Sequence, residues 1–186
     1  MNIEVEIKVE IKNPVEIREN VAKFGKLKKS IKQVDEYYSP CHRDFFAQKP
    51  FPKEWLRIRT NPDKVIFEYD LSINKDAQGK QEYAEEYETE VSSSEELRKI
   101  LKFLDFKKNV VVEKQREYWD CNDIEVALDH IKGLGDFIEA EAKGNFASNK
   151  EAEDACLNFL EKVGVKGADE RMINKGYPEL VLENNK

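Results

Sequence analysis

Long apolar runs are absent from this chain of 186 residues. No segment approaches the roughly twenty consecutive apolar residues that span a bilayer, so the sequence offers no transmembrane helix. The apolar/polar pattern starts at Ile3 without an apolar leader, which predicts a soluble, cytoplasmic protein. Cysteine is scarce: Cys41, Cys121 and Cys156 are odd in number and far apart, with no Cys-x-x-Cys or Cys/His metal spacing. They read as reduced thiols. His42 and His130 have no partner at metal or triad spacing and read as structural. Cys41 precedes His42, but no acyl-transfer context surrounds the pair. Net positive charge is lacking too, since 31 Lys and Arg face 38 Asp and Glu for a formal net charge of −7. That balance argues against broad binding of nucleic acid or anionic membrane, and leaves room for a small cationic pocket. No internal repeat or low-complexity linker divides the chain, so residues 1–186 are expected to form one domain.

Charge is what the chain has in abundance. Charged residues make up 37% of it, well above the usual quarter. Hydrophobic residues at 40%, with seven Tyr and ten Phe, are enough to bury a core. Ile3 to Lys12 alternates strictly between apolar and charged residues, which predicts a strand with Ile3, Val5, Ile7, Val9 and Ile11 on one face. Glu4, Glu6, Lys8, Glu10 and Lys12 take the other face. Further strands are predicted at 31–38, 54–60, 64–73, 81–91, 110–118, 124–131 and 136–143, joined mostly by short turns such as Asn74–Lys80 and Asn122-Asp123. Three amphipathic helices are predicted. Asn13 caps the first, with Pro14 at its first position and Gly25 as a stop. Ser93 or Ser94 caps the second, and Ser148 opens the third, which ends at Gly164. About eight strands with short connections imply a largely antiparallel sheet and an α+β fold.

Nearly every strand is charged on one side. Arg57 and Arg59 share a face, as do Glu68 and Asp70, Glu86, Glu88 and Glu90, Lys114 and Arg116, Glu125 and Asp129, and Glu139, Glu141 and Lys143. One reading is the wet face of an open sheet with helices behind it. The other follows from sign clustering within strands and from the strand number, because eight strands can close a barrel around a ligand. Carboxylates confined in such a lumen would need cations or a metal to neutralise them. Glutamates suit a hard divalent ion and Arg/Lys suit phosphate oxygens, which together fit a metal-bound polyphosphate.

Several segments, in order, resemble one known family. Glu4-Val5-Glu6-Ile7-Lys8 is similar to the ExExK signature of the CYTH superfamily, the triphosphate tunnel metalloenzymes. Gln33-Val34-Asp35-Glu36-Tyr37-Tyr38 resembles its QxDxYF strand. Arg43-Asp44-Phe45 and Trp55-Leu56-Arg57-Ile58-Arg59 resemble the RDF and LRIR segments of its class IV adenylyl cyclase branch. Glu86-Tyr87-Glu88, Lys114-Gln115-Arg116 and Leu128 to Glu141 resemble the EYE, KxR and LDxVxGLGxFxExE blocks, and Gly176-Tyr177-Pro178-Glu179-Leu180 resembles the C-terminal end.

The resemblance implies an eight-stranded antiparallel β-barrel tunnel, with helices outside, that binds a nucleoside or other triphosphate with Mg²⁺ or Mn²⁺. It implies Glu4 and Glu6 as metal ligands, with Glu139 and Glu141 as further candidates. Lys8, Arg57, Arg59, Lys114 and Arg116 would hold phosphate oxygens. Asp129 would position a metal or substrate, and Glu88 would belong to the acidic set, with Glu86 beside it. The implied activity is conversion of ATP to cyclic AMP and pyrophosphate; the alternatives are hydrolysis of an inorganic or organic triphosphate, and triphosphate binding without fast chemistry. Two positions depart from the pattern. Glu68 stands where the family strand carries a lysine, and Ala84 stands where it carries an arginine. Two cations are thus missing from the implied phosphate grip, and Lys75 or Lys80 could substitute only from a loop that folds inward. A homodimer is compatible with such a barrel.

Overall fold

The computed structural model describes residues 5–49, 52–75 and 81–185, the side chains of residues 73–75 and 81–84 excepted. The alternation after Val5 folds as strand β1 (Glu6–Ile11), which buries Ile7, Val9 and Ile11. Ile3 and Glu4 lie outside the described residues. Helix α1 (Pro14–Val21) has Pro14 in its first turn as expected. Asn13 makes no side-chain cap bond, contrary to expectation; its amide instead donates to Glu16 Oε2 at 3.4 Å. Gly25 closes this turn by donating to Val21 O at 3.0 Å. A Cβ on Gly25 would stand 2.8 Å from the carbonyl oxygen of Asp120, so the close backbone approach requires glycine.

Strand β2 (Lys26–Ser39) begins well before Ile31, the expected start. Lys26 to Ser30 are all exposed, so no face alternates and the pattern gives no strand signal there. There follow β3 (Glu54–Thr60), β4 (Val65–Lys75), β5 (Gln81–Val91), helix α2 (Ser94–Phe103), β6 (Lys107–Cys121), β7 (Ile124–Ile131), β8 (Gly135–Ala142) and helix α3 (Asn149–Lys162). Ser93 and Ser148 cap α2 and α3, accepting from the amides of Glu96 and Glu151. A fourth helix, α4 (Tyr177–Asn184), was not expected from periodicity. It starts with proline in the first turn, and Glu179 reaches back to the Gly176 amide at 2.9 Å.

The strands form one antiparallel sheet in the order β1-β8-β7-β6-β2-β3-β4-β5, which with four helices gives the α+β fold expected. The chain divides into two compact units, each built from separate segments. In the first (1–31 and 114–173), α3 lays Cys156, Leu160 and the following Val163 into a core with Val9, Val126, Ile138 and Ala140, all fully buried. Each Val, Leu or Ile among them contributes about 1.5–3 kcal/mol by leaving water. In the second (32–113 and 174–186), Tyr38, Phe45, Leu56, Ile58 and Leu101 form the core, joined by Phe67, Tyr69 and Leu97. Two glutamates on this apolar side are buried only because they are paired. Glu36 meets Arg98 and Lys108, and Glu54 accepts from the Tyr69 hydroxyl at 2.6 Å and meets Arg43 at 3.0 Å. Among the described residues, no helix is long and apolar enough to cross a membrane.

Candidate active site

The first unit carries a polar face whose members are set by strand register. Because β1 turns Ile7 and Val9 to the core, Glu6 and Lys8 must point the other way. Pairing with β8 places Glu6 opposite Glu141 and Lys8 opposite Glu139. On β6 and β7, Arg116 lies opposite Asp129, while Lys114 is the next residue along on the same side. Seven of the expected site residues, Glu6, Lys8, Lys114, Arg116, Asp129, Glu139 and Glu141, thus come onto one side of one unit. Glu4 lies outside the described residues.

Side chains join this face into a network. Arg116 Nε donates to Asp129 Oδ1 at 2.7 Å, and its Nη2 contacts both Asp129 Oδ2 and Glu139 Oε2. The two-pronged contact with Asp129 fixes the plane of the guanidinium, which a lysine could not do. Glu139 also meets Lys8 Nζ at 3.5 Å, so one carboxylate ties two cations together. Asp129 and Lys114 are both buried. Glu141 is engaged by Lys143 at 2.5 Å. Glu6 retains surface open to water, yet protein crowds around it and raises its pKa from 4.5 to about 7. Glu139 and, less strongly, Glu141 add repulsion that Lys8 and Arg116 oppose.

The donor set bears on a divalent ion. Two glutamates face each other across β1 and β8 with a third beside them, and one is pushed towards its protonated form by burial first and then by the neighbouring carboxylates. Oxygen donors under mutual repulsion are what a hard cation would relieve, so the donor chemistry fits a divalent ion. Among the described residues, however, no three such side chains are gathered closely enough to hold an ion as they stand.

The second unit carries its own polar face. Register places Arg57 between Tyr37 of β2 and Glu68 of β4, and Arg59 opposite Asp35. Glu88 and Glu86 of β5 lie opposite Glu68 and Asp70. Arg57 contacts Glu68 directly, donates to the Tyr37 hydroxyl at 3.2 Å and lies 3.7 Å from Asp70. Arg59 donates to Asp35 at 3.0 Å and lies 3.4 Å from Glu68. Burial alone would raise the Glu68 carboxyl pKa, but Arg57 and then Arg59 outweigh it and lower it. Burial raises that of Asp70 from 3.8 to about 7; Arg57 opposes, while Glu68 and Glu86 add to the rise. Asp35 and Asp70 had no assigned role in the sequence reading. Their strand parity was visible, but parity does not say which cation a carboxylate will meet. Lys80 and the side chains of Lys75 and Ala84 fall outside what is described.

These features agree with what the chain is similar to. The model of the CYTH domain matches residues 2–173. The chain belongs to the CYTH domain family. A Methanocaldococcus jannaschii protein whose name suggests an adenylate cyclase is 32% identical over 181 residues, covering 96% of this chain and 98% of its own. The solved PH1819 protein of Pyrococcus horikoshii is 29% identical, with a TM-score of 0.75 over 97% of this chain and 98% of that one. A Hippeastrum protein described as having a dominant triphosphatase activity shares the fold at 14% identity, with a TM-score of 0.64 over 100% of this chain and 96% of that one.

His130 is mostly exposed and lies 2.8 Å from Asp136, and His42 and Cys41 are exposed. Tyr38 belongs to the core, and Trp55 packs edge-on against Tyr37 and Phe46. Gly133 and Gly135 have positive φ values at the turn into β8, as turn glycines should.

Proposed function

We propose that this CYTH protein binds a nucleoside triphosphate with Mg²⁺ or Mn²⁺ and converts ATP to cyclic AMP and pyrophosphate. The observation that carries the reading is the network in which Asp129 and Glu139 hold Arg116 beside Lys8, on the face that bears Glu6 and Glu141. Lys8, Lys114 and Arg116 would hold phosphate oxygens; Asp129 would orient Arg116. Glu6, Glu139 and Glu141, with Glu4, would hold the metal. On the second unit's face Arg57 and Arg59 are the further candidates for phosphate, with Glu88 in the acidic set. The bound ion would supply charge neutralisation to the transferring phosphoryl group. In the reaction a bond forms between the ribose O3′ and the α-phosphorus as the bond to the pyrophosphate oxygen breaks, and the O3′ proton passes to water. Fixed cations accelerate such a step by stabilising charge where it develops. The cyclase reading is supported by the resemblance at 43–45 and 55–59 and by the name of the Methanocaldococcus relative.

A second reading, triphosphate binding with little turnover, is favoured by one observation. Arg57 and Arg59 are already engaged by Asp35, Glu68 and Asp70. Hydrolysis by water in the same site is the third arm. Incubation with ATP, thiamine triphosphate and tripolyphosphate, with Mg²⁺ or Mn²⁺, separates them. Cyclic AMP with pyrophosphate is the expected result. Orthophosphate alone would replace cyclisation by hydrolysis, and no product with any substrate would remove the enzymatic reading.

A further inference from the structure

The geometry of the second unit points to a role for Glu68 that rests on the triphosphate reading above. We propose that Glu68 is a built-in counter-anion of Arg57 and Arg59, which a phosphate-bearing ligand must displace before it can use those two arginines. The residue thereby sets how anionic a ligand this face accepts.

Four observations carry this. Glu68 is only 1% exposed and sits directly opposite Arg57 in register, so its carboxylate has no route to solvent that would leave the arginines open. Its two oxygens divide between the two guanidinium groups, Oε1 on Arg57 and Oε2 within 3.4 Å of Arg59. That is the arrangement a phosphate with two oxygens would otherwise take. Next, the face is over-supplied with negative charge: two arginines meet Asp35, Glu68 and Asp70, and Glu86 and Glu88 lie across the β4–β5 ladder from the last two. An incoming polyanion therefore meets repulsion as well as attraction. Lastly, the internal contact is not fully satisfied. Arg57 Nε, Glu68 Oε2 and Asp70 Oδ1 are buried without a hydrogen-bond partner. A pairing that leaves a donor and two acceptors unmet is one that a better-shaped anion can displace.

A purely structural counter-ion would show the same contacts but would not compete with ligand. Calorimetric titration of tripolyphosphate with Mg²⁺, at low ionic strength, separates the two. Glu68→Gln keeps the shape and removes the charge; Glu68→Met, of similar length, carries the test if the amide is not tolerated. Asp63→Asn, on the exposed turn between β3 and β4, removes the same charge elsewhere. The expected result is at least tenfold tighter binding for the Glu68 variant and unchanged binding for Asp63→Asn. Equal affinity of wild type and the Glu68 variant overturns this inference and leaves the triphosphate reading standing. A gain shared equally by Asp63→Asn also overturns it, since net charge alone would then be the cause. Binding by none of the proteins removes the triphosphate reading and the inference together.

Discussion

At the residue scale, the strongest local commitment is Arg116 held by Asp129 and Glu139. Both carboxylates are nearly sealed from solvent, so removing one leaves a buried charge imbalance that water cannot relieve. Asp129→Asn should therefore lower unfolding stability by about 2–4 kcal/mol, read from urea titrations. A loss within experimental error would mean that Asp129 does not hold the guanidinium. Asp70 allows a test by pH. Its folded pKa, about 7, lies above the unfolded value of 3.8, so the folded state binds the proton more tightly. Its contribution to stability is full below the unfolded pKa and is lost as pH rises through the folded one. Between about pH 5 and 8 the wild type should lose on the order of 1–3 kcal/mol relative to Asp70→Asn. Parallel stability–pH curves for the two proteins would contradict this. Glu68, whose pKa is lowered, works in the opposite sense and contributes above the usual glutamate range. Much of this was legible in the chain. The alternation around Lys8, Arg57 and Asp129 gave each its face, because period two leaves a strand residue only two choices. The carboxylate partners of Arg57 and Arg59 were not legible, because register between strands depends on turns whose geometry the pattern does not encode.

At the scale of elements, the clearest sequence signals were chemical rather than periodic. Ser93 and Ser148 each precede an apolar stripe and each caps its helix as expected, since a hydroxyl can accept from an otherwise unpaired amide. Ser93→Ala should cost about 1 kcal/mol, seen as a lower melting temperature. An unchanged melting curve would show that the α2 cap contributes nothing. Asn13 shows where such reasoning fails: a good capping residue spends its side chain on Glu16. Gly25→Ala should cost more than a helix-propensity change, because the added Cβ meets the Asp120 backbone; thermal melts would measure it. The early part of β2 and all of α4 escaped the periodicity because neither has a clean two-faced pattern. Lys26–Ser30 is wet on both sides, and α4 buries only Tyr177 and Pro178.

At the scale of the whole molecule, the antiparallel sheet sorts charge from apolar side chains in both units. Each unit has a core on one side and a network of Arg, Lys and carboxylates on the other. The two networks differ in balance. In the first, Asp129 and Glu139 hold Arg116 and Glu139 also meets Lys8, whereas the second sets three carboxylates against two arginines. Membership of the CYTH domain family and the charge sorting lead to the same expectation of a metal-bound triphosphate as ligand. The most direct test of that claim is calorimetric titration of tripolyphosphate into wild type and Arg116→Gln, with and without Mg²⁺. Wild type should bind saturably only with the metal, and the variant should lose at least a hundredfold in affinity while keeping its fold by circular dichroism. Binding that is absent, indifferent to Mg²⁺ or unaltered by Arg116→Gln would contradict the account.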